Sequence, residues 1–150
     1  MSEPVCGIEG VFMAETPGGV SPVVLLSIGE ERCLPIYIGI WEAISIGSAL
    51  RNEIPPRPFT HDLFTETLQK FGISLLGLNI DSIEDGVFYA TLLMAKNQQE
   101  NRVDCRPSDG IALAVRSNAP ISVDESVVAS AAVLRSDLPD LSDIASYLVH

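Results

Sequence analysis

Arg102-Val103-Asp104-Cys105-Arg106-Pro107-Ser108-Asp109-Gly110-Ile111-Ala112-Leu113-Ala114-Val115 begins as a short strand and ends as an apolar helix. Pro107 fixes the exit from the strand, and Ser108 is placed to cap the helix by accepting an N–H from its first turn. Asp104 and Arg106 stand two apart, which on a strand puts both on one face. Two carboxylates and a guanidinium thus surround a helix N-terminus, where backbone N–H groups lack intrahelical partners. Such a junction can bind a phosphate, hold a metal or lock itself together by ion pairing. Its residues alone leave all three open.

Upstream, residues 74–82 and 87–96 carry strand signals, joined at Glu84-Asp85-Gly86, where Asp-Gly suits a tight hairpin. Residues 97–101 read as a polar loop before the strand at 102–104. Nearer the start, residues 5–13, 23–28 and 33–39 read as a three-strand meander, turned at Thr16-Pro17-Gly18-Gly19 and Gly29-Glu30-Glu31. A helix with an apolar stripe follows over residues 41–51, with Glu42 in its first turn. Pro55-Pro56-Arg57-Pro58 cannot be helical and presents Arg57 from a stiff frame. Thr60 is the expected cap of a helix over residues 61–71 ending at Gly72, with Phe59 and Phe64 placed as a hydrophobic staple.

Downstream, the junction helix ends near Ser117-Asn118, and residues 119–123 look like a final short strand. Beyond Asp124 the texture turns small and apolar, with helical potential over 127–134. A further helix starts from Pro139, its stripe formed by Leu138, Leu141, Ile144, Tyr147 and Leu148. We therefore expect a domain over residues 1–123 and a C-terminal helical extension over 124–150 that packs on the body or on a partner subunit. The order of elements argues for an α+β fold, a mostly antiparallel sheet packed with three to five helices in one compact domain.

Length is consistent with one domain: 150 residues, 47% hydrophobic and 19% charged, can bury a substantial core. The net charge is −11, and the nine Lys and Arg are scattered, which counts against duplex nucleic acid as the main partner. Three cysteines without CxxC spacing argue against a disulfide framework or structural zinc, and buried inert thiols are expected. No apolar run reaches membrane-spanning length, and Met1-Ser2-Glu3-Pro4 has no secretory-signal character, so no membrane association and a cytoplasmic location are expected.

Five segments together resemble the bifunctional nuclease family. They are Leu34-Pro35-Ile36-Tyr37-Ile38-Gly39 with Glu42-Ala43, Pro55-Pro56-Arg57-Pro58-Phe59-Thr60-His61-Asp62-Leu63, Asp85-Gly86-Val87-Phe88-Tyr89-Ala90, Asp104-Cys105-Arg106-Pro107-Ser108-Asp109 and Ala119-Pro120-Ile121. The resemblance spans residues 5–123. It implies a compact α+β domain that self-associates, a dimer being favoured, and activity on DNA and RNA as described for plant members. It brings no mechanism that maps residue by residue, and the Arg/Lys-rich extensions that would help hold nucleic acid are absent from this sequence.

Phosphodiester hydrolysis needs an activated water, charge neutralisation at phosphorus and help for the leaving oxygen, all of which a carboxylate-held divalent ion supplies. The candidate catalytic residues are His61, Asp62, Asp104 and Asp109. Asp104, Asp109 and Glu42 are the candidate ligands for Mg²⁺ or Mn²⁺. Arg57, Arg106 and Ser108 are the candidates for binding phosphate. Each has a plainer reading: His61 and Asp62 as cap residues, Asp104 with Arg106 as an ion pair, Glu42 answering the helix dipole. Trp41 and Tyr89 read as core or interface. Two functions remain open: a metal-dependent nuclease of low specificity acting on single-stranded nucleic acid, or a non-enzymatic oligomeric module binding a small anion or a protein. Convergence of the carboxylates in an open cleft would favour the first; arginines capping them would favour the second.

Overall fold

The computed structural model describes residues 5–148. Along the chain it forms β1 (Val5–Cys6), β2 (Ile8–Thr16), β3 (Gly19–Ile28), β4 (Arg32–Tyr37), α1 (Ile40–Leu50), α2 (Thr60–Lys70), β5 (Ser74–Glu84), β6 (Val87–Lys96) and β7 (Gln99–Cys105). Then follow α3 (Pro107–Ser117), β8 (Ile121–Val123), α4 (Glu125–Ala131), β9 (Val133–Leu134), a 3-10 turn (Arg135–Asp137), β10 (Leu141–Asp143) and α5 (Ile144–Leu148). The fold is α+β, as expected, with its strands divided between two five-stranded sheets. One has the order β1-β8-β5-β6-β7 and the other β10-β2-β3-β4-β9.

The second sheet is antiparallel throughout and contains the expected meander β2-β3-β4. Val23, Val24, Leu25 and Leu26 on β3 are all buried, because this central strand is covered on both faces. Val24 and Leu26 face the main core, with Leu34, Ile36 and α1's Ile46. Val23 and Leu25 face a smaller cluster closed by Val133, Leu138 and Leu141. The C-terminal segment therefore packs on the body, β9 pairing with β4 and β10 with β2. The helix expected from Pro139 is confined to α5: leucines 138 and 141 cover the sheet, and only at Asp143, whose Oδ1 accepts the Ala145 N–H at 2.8 Å, does the chain turn helical.

In the first sheet, β5-β6-β7 is antiparallel, and β8 joins β5 in parallel. Leu78, Ile80, Ala90, Leu92 and Met94 point into the main core, against α3. Asp85 (φ 52°) and Gly86 (φ 79°) make the expected hairpin turn. The loop expected over 97–101 contracts to a two-residue turn, Asn97 (φ 51°) and Gln98 (φ 66°), and β7 starts at Gln99. Its polarity belongs to an exposed edge strand.

Two caps fall earlier than expected. Arg106 is the N-cap of α3 and Pro107 its first residue, a position suited to proline's fixed φ, so Ser108 lies buried inside the first turn. Phe59 is the N-cap of α2 and Asp62 supplies the capping, its Oδ2 accepting the Phe59 N–H at 2.8 Å. The other end of α2 closes on Gly72 (φ 72°), with Ile73 N–H bonded to Leu68 O and Gly72 N–H to Gln69 O, as a Schellman motif requires. α3 sits low on the sheet because residue 110 is glycine: a Cβ there would stand 2.5 Å from Leu78 Cδ1 and 3.0 Å from Cys105 Sγ.

Candidate active site

Helices α1 and α2 both pack on α3, and this brings α1, the start of α2 and the start of α3 around one cleft of about 630 Å³. From α1 come Trp41, Glu42 and Ser45; from α2, His61; from the α3 start, Arg106 and Asp109. His61 is the second residue of α2 and Asp109 the third of α3, so each helix start aims one chemically active side chain inward.

A continuous hydrogen-bonded chain links these groups. His61 Nε2 lies 2.9 Å from Asp109 Oδ1, and His61 Nδ1 lies 2.7 Å from Ser45 Oγ. Arg106 Nε donates to Asp109 Oδ2 at 2.9 Å, and its Nη2 reaches Asp109 Oδ1 at 3.2 Å and Glu42 Oε1 at 3.3 Å. On the far side Arg116, with a side chain only 9% exposed, donates from Nη2 to Ser45 Oγ at 3.0 Å and from Nε to Asp62 Oδ1 at 2.7 Å. Asp109 only accepts when ionised, so Nε2 carries a proton. Arg116 occupies one lone pair of Ser45 Oγ, and His61 Nδ1 approaches the same oxygen from the cleft side.

The charges agree with this order. Burial opposes ionisation of Asp109, but hydrogen bonds from Arg106 and His61, with the Arg106 charge, outweigh it and hold the carboxyl below its ordinary value. Asp62 is likewise held low: burial works against it, and the Arg116 and Phe59 N–H hydrogen bonds prevail. Burial, reinforced by Asp104 and Asp109, pushes the neighbouring Cys105 thiol up to about 11, so it stays protonated at neutral pH.

The structure thus gathers His61, Asp109, Arg106 and Glu42. It places the other expected residues elsewhere. Asp62 is bound to Arg116 and the α2 cap. Asp104 is exposed and pairs in register with Thr91, whose side chain bonds Asp81 on the sheet face away from the helices. The strand ends at Cys105, so the alternation that would have set Asp104 beside Arg106 stops one residue short. Arg57 is exposed in its proline frame and makes no hydrogen bond or ion pair with a described side chain. The Ser108 hydroxyl is also without a partner among the described residues and lines a smaller neighbouring cavity with Arg106. The expected metal ligands do not converge: Asp104 is remote, and Glu42 and Asp109 both bind Arg106. Among the described residues no group of three His, Cys, Asp or Glu is arranged to hold an ion. Trp41, read as core or interface, is 77% exposed at the cleft. Ser45 and Arg116 were not anticipated. A serine within an apolar helix stripe and a basic residue at a helix end carry no signal of their own, and only the packing of the helices reveals them.

The match to the family model described as "Bifunctional nuclease domain" runs over residues 23–136 and contains every residue of this network. The chain belongs to the bifunctional nuclease domain family. An uncharacterized protein of Mycobacterium tuberculosis is 42% identical over 123 residues, covering 81% of this chain and 71% of that protein. Bifunctional nuclease 1 of Oryza sativa subsp. japonica is 30% identical over 108 residues, 70% of this chain and 33% of its own length. Bifunctional nuclease 2 of the same rice is 30% identical over 114 residues, 73% and 35% respectively. This bifunctional nuclease domain therefore spans about a third of each rice protein. β10, which forms the edge of the second sheet and brings Leu141 to the smaller core cluster, and α5, which adds Ile144 to the main core, lie beyond the matched residues. No helix among the described residues is long and apolar enough to cross a membrane.

Proposed function

We propose that the α1–α2–α3 cleft hydrolyses phosphodiesters in single-stranded DNA and RNA with low sequence specificity. The observation that carries this reading is His61, fixed between Ser45 and Asp109 at the wall of an open cleft that also presents Arg106. The imidazole is the proton-moving group, and Asp109 stabilises the imidazolium that forms. Arg106, whose side chain is 65% exposed, turns its unused N–H groups to the phosphate, and Arg57 adds a second, unpaired guanidinium from the proline frame. Trp41 offers a ring face on which a base can stack. The net charge of −11 restricts binding to a short run of nucleotides held by these two arginines.

The test is cleavage of single-stranded DNA and RNA at low salt by highly purified protein, with Mg²⁺, Mn²⁺ or EDTA. His61→Ala is expected to lose about 10²–10⁴-fold in rate while remaining folded, and Asp104→Asn, on the far face, to keep its activity. Hard divalent ions bind phosphate oxygens, so they enter as variables of this assay. Activity that survives EDTA would assign the chemistry to the side chains. Absence of cleavage by the wild type under every condition would reject the reading and favour the oligomeric binding module, which the arginine capping of Glu42, Asp62 and Asp109 supports. Self-association as a dimer and a cytoplasmic location belong to the same proposal. α2 buries no residue fully and leaves Leu63, Phe64 and Phe71 exposed for a second copy.

A further inference from the structure

We infer that Ser45 is the nucleophile of this site, attacking phosphorus to form a phosphoseryl intermediate; the inference rests on the hydrolase reading above and specifies its chemistry. Thr65, Thr67 and Ser130, also on helices, donate their hydroxyl hydrogens to carbonyls of the preceding turn, the usual fate of such a group. Ser45 instead lies 2.7 Å from an imidazole nitrogen, and that ring's other nitrogen lies 2.9 Å from a carboxylate. Serine, histidine and aspartate are thus linked as in a nucleophilic triad, with Nδ1 facing the serine and Nε2 the acid. If His61 removes a proton through Nδ1 in this arrangement, the proton is that of Ser45, because Nδ1 has no other partner among the described residues. Arg116 places a fixed positive charge 3.0 Å behind Oγ, held by Asp62 and by the Ala112 carbonyl at 3.0 Å, where it favours the alkoxide. Ser45 is only 6% exposed, yet it lines the cleft.

In the first step the Ser45 Oγ–P bond forms and the bond from phosphorus to the leaving oxygen breaks. The Ser45 proton passes to His61 Nδ1 and then to the leaving oxygen. In the second step water attacks phosphorus, its proton passes through His61 to Ser45 Oγ, and the phosphoserine bond breaks. No oxidant, reductant or further reactant is required.

The deciding experiment treats folded wild-type protein with a fluorophosphonate, which records a nucleophilic serine without requiring turnover, and locates the adduct by mass spectrometry. Labelling of Ser45, slowed about a hundredfold or more by His61→Ala, is the expected result. Ser45→Ala, checked for an unchanged melting profile, should lose DNA and RNA cleavage to a similar extent. Labelling of Ser45 in a protein that cleaves no nucleic acid would support the nucleophile and reject the substrate class. Cleavage by the wild type with Ser45 unlabelled would overturn the nucleophile while leaving the hydrolase reading intact. If Ser45→Ala fails to fold, the wild-type adduct decides alone.

Discussion

Asp62 and Asp109 each stand in the first turn of a helix beside the cleft, and their surroundings separate them. Asp109 faces the imidazole at the cleft, whereas Asp62 anchors a nearly buried arginine and caps a helix. Asp109→Asn should preserve folding but replace one acceptor oxygen by an NH2 donor and remove the negative charge beside the imidazole. Its cleavage rate is expected to fall by about 10²–10⁴-fold in single-turnover assays. Asp62→Asn should act first on stability, by about 3 kcal/mol, because Arg116 loses its counter-charge; urea unfolding would measure it. Both carboxyls titrate below their ordinary 3.8 in the folded chain. Their stabilisation is therefore complete above the unfolded value and lost as pH falls below about 4 through the folded one. Asp62→Asn should flatten that acid limb in melting curves recorded from pH 5 downward. His61, Asp109, Arg106 and Glu42 were legible because their side chains have few uses besides charge and proton transfer. Ser45 was not, since a small hydroxyl in a helix looks like filler until its partner arrives from 16 residues away.

Elements were easier to find than their ends. The turns at Asp85-Gly86 and Gly72 announce themselves because their positive φ angles favour particular residues. Residues 97–101 misled because an edge strand in water and a loop use the same polar side chains. Asp104 was set on the wrong face because strand alternation was carried past the point where Arg106 becomes a helix cap. The same junction yields a prediction about packing. α3 carries Arg106, Asp109 and Arg116, and its height above β5 is set by the missing side chain at Gly110. Gly110→Ala should cost about 1–3 kcal/mol, read by chemical denaturation. The larger sign of its effect would be a drop in cleavage without any change to a polar group, as the Asp109 carboxylate is displaced from His61.

For the molecule as a whole, the C-terminal segment is the feature that composition described least well. Its leucines look helical in spacing, but two are spent on the outer face of the second sheet, and α5 contributes a single fully buried side chain, Ile144, against α1 at Gly47. Ile144→Ala is expected to destabilise by about 2–4 kcal/mol and to loosen the helix bearing Ser45, measurable as faster amide exchange in α1. Net charge sets a second global expectation. With two arginines meeting phosphate, the logarithm of single-strand affinity should fall with the logarithm of salt with a slope of only about −1.4, which a titration series at several ionic strengths would read. The chain has one tryptophan, and it stands almost wholly in solvent at the cleft mouth. Nature has in effect installed a single indole there: its red-shifted emission should dim as a base covers the ring, so unlabelled protein reports its own occupancy.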